Sequence, residues 1–314
     1  MLKQIRYICA QPANTYYAWQ VEVMLNNFIA MGINLNQVDI VCEKPACRTP
    51  EEWTKLAERY PARFFFYCDK RAERGYISSI RPNILKQHFA QHPELSQDVL
   101  FYHDCDIAFT RPPSEWITQE MIEDNKWYGS DTKWYIAYDY IVSKGEQVLG
   151  LMESIMRMPE GMVKANNDNA IGAQYLMKNI DDRFWARVEM DCERLYKQVS
   201  DLNRQLKEEM PNYHELQIWC ADMWALLWNA WKDGVTTLCH PAFDFSWGTS
   251  SLDDYNRMNI FHNAGVVSDS SGLFHKAKYM NSYPYGLDLD IKSDTASAEY
   301  YKWIQKAEVN SPLL

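Results

Sequence analysis

The chain has 314 residues, of which 47% are hydrophobic and 24% are charged, a composition typical of a globular protein with a sizeable core. Its 32 Lys and Arg against 42 Asp and Glu give a formal net charge of −10, which disfavours tight electrostatic capture of nucleic acid. No apolar run approaches the roughly 18 residues of a membrane span, and the opening MLKQIRYICAQP has too short an apolar segment for a signal peptide. We therefore expect a cytoplasmic protein with no membrane partner.

The first hundred residues alternate between strand and helix patterns. The predicted strands are 5–11, 37–42, 63–68 and 99–103, and the predicted helices are 16–32 and 81–92. This alternation is typical of βαβ units. The predicted fold class is therefore α/β.

The second half of the chain is less regular. The aromatic segment 127–141 favours strands, and 169–178 is predicted to be a turn entering a helix. The Trp-rich segment 218–231 predicts a buried helix, and 286–314 a polar C-terminal tail containing a short helix. In 185–206 apolar residues recur in alternating steps of three and four, which predicts a long helix. Three interpretations of this helix stay open: a protruding arm at about 183–210, a homodimer contact, and a surface helix packed on its own domain.

Eight cysteines are scattered along the chain without a Cys-x-x-Cys pair. Several lie inside apolar runs, as buried thiols do. The pattern favours free thiols in a reducing compartment over a disulfide framework or a zinc site.

An acidic pair follows the apolar run Val99–Tyr102 in the stretch VLFYHDCDIAFTRPP. Carboxylates almost never enter a core unpaired, so Asp104 and Asp106 should emerge at the end of the strand. There they can hold a divalent cation, Mg²⁺ or Mn²⁺, which takes oxygen ligands and leaves positions open for phosphate oxygens. The alternative is a solvated pair in a loop.

Two enzyme classes place Asp-x-Asp after an apolar strand. In phosphatases of the haloacid dehalogenase type the motif lies near the N-terminus, with Thr or Val two residues after the second Asp, where this chain has Ala108. In GT-A nucleotide-sugar transferases the pair holds the metal of the donor diphosphate after roughly a hundred residues of nucleotide-binding fold. The position of the motif favours the transferase.

The segment FHNAG supplies His262 and Gly265, a His-x-x-Gly spacing that resembles the C-terminal motif of many retaining GT-A enzymes. An imidazole that joins two carboxylates suits Mn²⁺ better than Mg²⁺. His275 is the rival third ligand. Lys276 or Lys278 could neutralise the diphosphate as the leaving group departs.

Six segments in chain order resemble the plant hydroxyproline O-arabinosyltransferases and peptidyl-serine galactosyltransferases, over roughly residues 5–285. They are YYAWQVEVMLNNF, RPNILKQHF, VLFYHDCDIAFTRPP, IGAQYLMK, ADMWAL and FHNAG. The resemblance implies a GT-A fold at 1–285, which is a Rossmann-like mixed sheet flanked by helices in a single large domain. Its nucleotide-binding half would be 1–113 and its sugar and acceptor half 114–285, before the tail at 286–314. Trp19 and Gln20 match a Trp-Gln pair in the first helix of that family.

The resemblance also implies roles for individual residues. The nucleotide would lie near Gln11, Pro12 and Tyr17, and Arg81 would approach the phosphates or the ribose. A surface salt bridge is the alternative for Arg81. The metal would be held by Asp104, Asp106 and His262.

Gly172 and Gln174 would flank the donor sugar, Gly172 by allowing close approach and Gln174 by contacting hydroxyls. Asp222 lies inside the apolar run WCADMWALLW, where packing alone does not favour an acid. It either caps the helix start or, as in related retaining enzymes, faces the anomeric carbon of the sugar as the catalytic carboxylate.

The sequence therefore predicts a metal-dependent hexosyl- or pentosyltransferase, moving a sugar from a nucleoside-diphosphate donor to a hydroxyl, with retention of configuration. Uridine is the base that the resemblance implies. The acceptor is a protein, a glycan or a hydroxymethylated base of viral DNA, so nucleic acid enters only as an acceptor. Two alternatives stay open: a phosphatase of the haloacid dehalogenase type, and a nucleotide-sugar-binding protein without catalysis.

Overall fold

The computed structural model describes residues 4–269, 272–309 and 311–314. The strands in these ranges are β1 (Ile5–Pro12), β2 (Val38–Glu43), β3 (Arg63–Tyr67), β4 (Val99–Tyr102), β5 (Ile107–Phe109), β6 (Lys126–Asp131), β7 (Ile171–Lys178), β8 (Thr236–Cys239), β9 (Phe245–Trp247) and β10 (Ile260–His262). The α-helices are α1 (Thr15–Ala30), α2 (Glu51–Arg59), α3 (Ile80–Gln91), α4 (Gln119–Glu123), α5 (Lys133–Ile136), α6 (Tyr138–Val142), α7 (Glu146–Met156), α8 (Met162–Ala165), α9 (Asp182–Glu209), α10 (Ala221–Lys232), α11 (Leu252–Arg257) and α12 (Ala296–Glu308).

Within the described ranges, the strands form a seven-stranded sheet in the order β3-β2-β1-β4-β7-β6-β8 and a three-stranded sheet in the order β5-β10-β9. The larger sheet is mixed, since β1 runs parallel to β2 whereas β6 runs antiparallel to β7. The predicted α/β class with a mixed sheet is confirmed. The six strands and helices predicted in the first hundred residues also form, each within two residues of its predicted bounds.

The chain divides into two compact units, each assembled from segments that are distant in the sequence. In the described part of the chain, unit 1 consists of Asp69–Leu100 and Asp124–Pro241, and unit 2 of Gln4–Cys68, Phe101–Glu123 and Ala242–Leu314. The sequence-based division into halves at 1–113 and 114–285 stays a prediction.

Unit 2 is built around the parallel strands β1, β2 and β3 and a core of large rings. Phe109 stacks on Phe28 at a centroid distance of 5.0 Å, and Phe101 meets Phe109 at 5.4 Å. Asn27 fixes α1 to β5, because its side chain donates to the carbonyl of Phe109 and accepts from the N–H of the same residue. The helix α12 buries Tyr300 against Phe261, at 5.0 Å. The short helix predicted in the tail is thus part of this core.

Unit 1 is organised by the 28-residue helix α9, which packs against α3 and α10. Asp181 caps its N-terminus, since the Asp181 side chain accepts a hydrogen bond from the N–H of Phe184 at 2.8 Å. The helix predicted from the heptad pattern is confirmed, and most of its apolar stripe is buried. The buried residues are Trp185, Val188, Cys192, Leu195, Val199 and Leu206. This burial is what the third interpretation, a helix packed on its own domain, predicts.

Two assignments from the sequence are wrong. Residues 171–178 form β7 rather than a helix, and only the first part of 127–141 is a strand, because α5 and α6 follow β6. The pairing of β6 with β7 shifts register between Gly129 and Ser130, and Ala173 takes a left-handed φ of 61°. In addition, seven of the eight residues of β7 are buried, so the strand lacks the alternation of apolar and polar residues that identifies a half-buried strand.

The cysteine expectation is wrong for one pair, because Cys47 and Cys68 form a disulfide bridge. The cysteines at positions 9, 42, 105, 192, 220 and 239 take no part in a disulfide bridge, as predicted. None of the helices in the described parts of the chain is long and apolar enough to cross a membrane.

Candidate functional site

The acidic pair lies where strand β4 ends. All four residues of β4 are buried, and the chain then turns through Asp104 and Asp106 into β5. Strand β5 pairs antiparallel with β10, in a register that sets His262 opposite Ile107. The N–H of Asn263 continues this ladder by donating to the carbonyl of Asp106 at 2.9 Å. The backbone pairing therefore brings His262 beside the carboxylates, although 156 residues separate it from Asp106 along the chain.

The three side chains converge. Nε2 of His262 lies 3.3 Å from Oδ1 of Asp106 and 3.6 Å from Oδ2 of Asp104. Among the described residues this is the cluster able to hold a metal ion, with one ligand atom from each residue and all three within 4.8 Å of one another. Ligand atoms bound to one cation at about 2.1 Å, at right angles, lie about 3 Å apart. The spacing and the two-carboxylate, one-imidazole donor set fit Mn²⁺ or Mg²⁺.

Lys276 offsets part of the negative charge of Asp104 and Asp106, because its ammonium forms an ion pair with Oδ2 of Asp106. Burial opposes ionisation of Asp106, but Lys276 and His262 outweigh it and hold the pKa of that carboxyl well below its usual range. Burial alone would lower the pKa of Lys276, and the Asp106 carboxylate more than reverses this. Both groups are therefore charged at neutral pH.

His103 was not among the site residues predicted from the sequence. Its Nδ1 donates to the backbone carbonyl of Asp104 at 2.8 Å and so fixes the turn that carries the acidic pair. Burial lowers the pKa of His103 to about 4, which keeps the imidazole neutral at pH 7. A His that directly precedes Asp-x-Asp is the signal that could have identified it.

The rival ligand His275 is engaged elsewhere. Its Nδ1 lies 2.6 Å from Oδ1 of Asp269, and Nζ of Lys278 lies 3.1 Å from Oδ2 of the same residue. Gly265 follows β10 with φ of +86°, so a glycine is favoured there by the backbone conformation.

The residues predicted to bind the nucleotide belong to the first βα turn of unit 2. Pro12 ends β1, and Tyr17 lies in the first turn of α1, where its N–H donates to the Asn14 side chain that caps the helix. Gln11 is buried, and its amide points toward β2, with Nε2 3.3 Å from Sγ of Cys42. The role of all three in nucleotide binding stays a prediction.

The Trp-Gln pair in α1 is buried in unit 2. Nε1 of Trp19 donates to the carbonyl of Tyr279 at 3.2 Å, and Nε2 of Gln20 donates to the carbonyl of Tyr16 at 2.6 Å. Trp19 thus fixes the segment that carries Lys276 against α1.

Unit 1 holds the other predicted carboxylate, Asp222, in the first turn of α10. Arg81 donates to its Oδ2 at 2.5 Å, and the Tyr76 hydroxyl donates to its Oδ1 at 2.7 Å. The N-cap of α10 is Cys220, so Asp222 does not occupy the capping position considered for it. Arg81 forms the salt bridge that was the alternative to phosphate contact, and its partner is Asp222.

Gly172 and Gln174 lie in β7, also in unit 1. A Cβ at Gly172 would come within 2.5 Å of Cε of Met223 and 2.7 Å of Oγ1 of Thr132. A side chain at this position would therefore displace Thr132 and Met223, whatever the ligand. Gln174 is buried, and its contact with a sugar stays a prediction.

No protein-family model and no curated protein matches the sequence. Among solved structures, the apo WbbM bifunctional glycosyltransferase aligns with 12% identity and a TM-score of 0.48, over 96% of this chain and 52% of that chain. Mouse xyloside xylosyltransferase 1 aligns with 12% identity and a TM-score of 0.40, over 83% and 98%. The mannosyltransferase PcManGT from Pyrobaculum calidifontis, in complex with GDP-Man and Mn²⁺, aligns with 12% identity and a TM-score of 0.31, over 74% and 72%. This chain thus spans about half the length of WbbM.

Proposed function

We propose that the protein is a metal-dependent GT-A glycosyltransferase that moves a sugar from a nucleoside-diphosphate donor to an acceptor hydroxyl. The observation that carries the proposal is the convergence of Asp104, Asp106 and His262 at a strand end, beside the ammonium of Lys276. Ligands of open α/β sheets collect outside the carboxyl ends of the strands. The resemblance to the arabinosyl- and galactosyltransferases supports the same chemistry.

The three ligand side chains would hold Mn²⁺ or Mg²⁺, which when bound stabilises the negative charge that develops on a departing diphosphate. Asp106 is positioned for this by its own buried contacts, and Asp104 by the turn that His103 fixes. Ligands held in place before the substrate arrives need no rearrangement as charge develops.

Lys276 would add a fixed positive charge on the phosphate side of the site. Its ammonium is held by Asp106 and is part of a segment anchored through Trp19. An ammonium can stabilise a leaving diphosphate as a point charge. Lys278 and Gly265, in the same stretch of unit 2, stay proposed donor-binding residues.

For Asp222 we propose the role that the resemblance implies, a carboxylate that faces the donor sugar and supports transfer with retention. Its two donors, Arg81 and Tyr76, hold both oxygens in fixed directions. A carboxylate with such contacts is held in one orientation, which the role requires.

Thermal unfolding with UDP and GDP, each with and without MnCl₂, tests the donor site. We expect a rise in Tm that needs both the nucleotide and the metal, since a ligand that binds the folded state stabilises it by mass action. Mass spectrometry across a panel of UDP- and GDP-sugars should then detect the free sugar or the transferred product. Asp104→Asn is the matched variant, because its partly exposed side chain can change without disturbing the core.

Each alternative predicts a different result in the same experiments. A phosphatase would release phosphate from p-nitrophenyl phosphate and show no rise in Tm with nucleotides. A binding protein without catalysis would show the rise in Tm but neither hydrolysis nor transfer for any donor sugar. Either result would contradict the proposed transferase.

A further inference from the structure

Both oxygens of the Asp106 carboxylate already have partners. Oδ2 contacts Nζ of Lys276, and Oδ1 lies 3.3 Å from Nε2 of His262. Only 7% of the Asp106 side chain is exposed, so water has little access to this carboxylate. A buried carboxylate needs a compensating charge, and Lys276 supplies it.

A divalent cation among Asp104, Asp106 and His262 would bring two positive charges close to the Lys276 ammonium. Like charges a few ångströms apart in a partly buried site repel strongly. The two carboxylates and the ammonium together also leave one net negative charge for the cation. A free cation should therefore bind weakly.

A diphosphate changes this balance, because it brings at least two negative charges of its own. The cation and Lys276 then share an anionic partner, and their mutual repulsion is screened. Each ligand should strengthen the binding of the other, and thermodynamic linkage requires the two enhancement factors to be equal.

We propose that Lys276 is the internal counter-ion of the Asp104–Asp106–His262 site and that it couples binding of the divalent cation to binding of a diphosphate. This role rests on the proposed function and adds to it that the donor nucleotide binds together with the divalent cation. The cation and the nucleotide bind cooperatively, and in the absence of a nucleotide the site binds the cation only weakly.

The test is a Mn²⁺ titration followed by the EPR signal of free Mn²⁺, which needs no turnover. The probes are MnCl₂ alone and MnCl₂ with saturating UDP, GDP or inorganic pyrophosphate, with protein-free samples to account for Mn²⁺ complexed in solution. For the wild type we expect UDP, GDP or pyrophosphate to tighten Mn²⁺ binding by at least about tenfold. Lys276→Met should bind Mn²⁺ alone at least about tenfold more tightly than the wild type, and the enhancement should shrink.

Two variants control for other effects of the substitution. Lys276→Arg keeps the charge and should behave as the wild type does. Lys278→Met removes a nearby charge that is 49% exposed and paired with Asp269 at 3.1 Å, and it should leave the affinity for Mn²⁺ alone unchanged within about twofold. If Lys276→Met does not fold, Lys276→Gln, which retains an N–H donor for Asp106, is the deciding variant.

If the wild type and the uncharged variants, Lys276→Met and Lys276→Gln, bind Mn²⁺ alone with equal affinity, the role of Lys276 is overturned. The proposed function would still stand if Mn²⁺ binds together with UDP, GDP or pyrophosphate. Tight binding of Mn²⁺ alone to the wild type, with no enhancement by any of the three, would overturn the role of Lys276 too. If the wild type binds Mn²⁺ under none of these conditions, the proposed function fails together with this role.

Discussion

Arg81 donates a hydrogen bond of 2.5 Å to Oδ2 of Asp222, joining the N-terminal turn of α3 to that of α10. The pair is partly exposed, at 26% for the Arg81 side chain and 13% for that of Asp222. Tyr76 holds the second oxygen of the same carboxylate. Asp222 is thus oriented by two donors from one short segment of unit 1, and its charge can be removed without a change in shape.

Asp222→Asn should keep the fold and lose sugar transfer by at least about a hundredfold. The loss of a partly exposed ion pair costs about 1 kcal/mol or less of unfolding free energy, so Tm should fall only slightly. Steady-state transfer and thermal unfolding of the same preparation check both expectations. Unchanged turnover would remove Asp222 from the mechanism.

Asp104→Asn and Asp106→Asn should both abolish metal-dependent activity but differ in stability. The Asp104 side chain is 36% exposed, so its replacement should cost less than about 1 kcal/mol. Asp106→Asn leaves the part-buried Lys276 without its counter-ion and should cost about 3 kcal/mol. Urea unfolding without metal measures the difference, and equal costs would contradict the buried ion pair.

Gly172→Ala should destabilise the protein by about 1–3 kcal/mol, because the added methyl group overlaps Met223 and Thr132 in a packed region. Gly150→Ala is the matched control in α7, where nothing lies within 4 Å of the added Cβ. That change should stabilise the helix by about 0.5–1 kcal/mol. Thermal unfolding of the two variants without a donor measures the packing cost at Gly172 separately from any role of this residue in donor binding. A Gly172→Ala protein of wild-type stability would contradict the close approach.

Glu22 in unit 2 should make stability fall as pH rises. Burial raises the pKa of this carboxyl above 4.5, although Tyr60, Tyr285 and Ser311 all donate hydrogen bonds to it. The folded state therefore holds the proton more tightly than the unfolded state does, and stability is lost as pH rises from about 4.5 through the raised pKa.

Glu22→Gln removes this titration. The Tm of the variant relative to the wild type should become more favourable as pH increases from about 4.5 to 7. Glu120→Gln, at an exposed position in α4, should leave the pH profile of Tm unchanged. Parallel profiles for Glu22→Gln and the wild type would show that Glu22 is not the responsible group.

The spacing of apolar residues along the chain predicted the strands and helices that are regular along their whole length. The four strands and two helices predicted in the first hundred residues form as expected, although α2 was not predicted. The stripe of α9 identified that helix from its spacing alone. The pattern failed in β7, because seven of its eight residues are buried and the strand therefore lacks an alternation of apolar and polar residues. It also gave no indication that Cys47 and Cys68 would pair, because their approach depends on where β2 and β3 end.

The sequence by itself determined that Asp104 and Asp106 emerge at the end of a buried strand, because ionised carboxylates cannot follow an apolar run into a core without a partner. Only the tertiary structure decided which groups meet them. The register of β5 with β10 places His262, and Lys276 reaches Asp106 from 170 residues along the chain. Sequence separation carries no information about such contacts, since backbone pairing and packing of distant segments select the partners. The charge balance that governs cation binding exists only once the chain has folded.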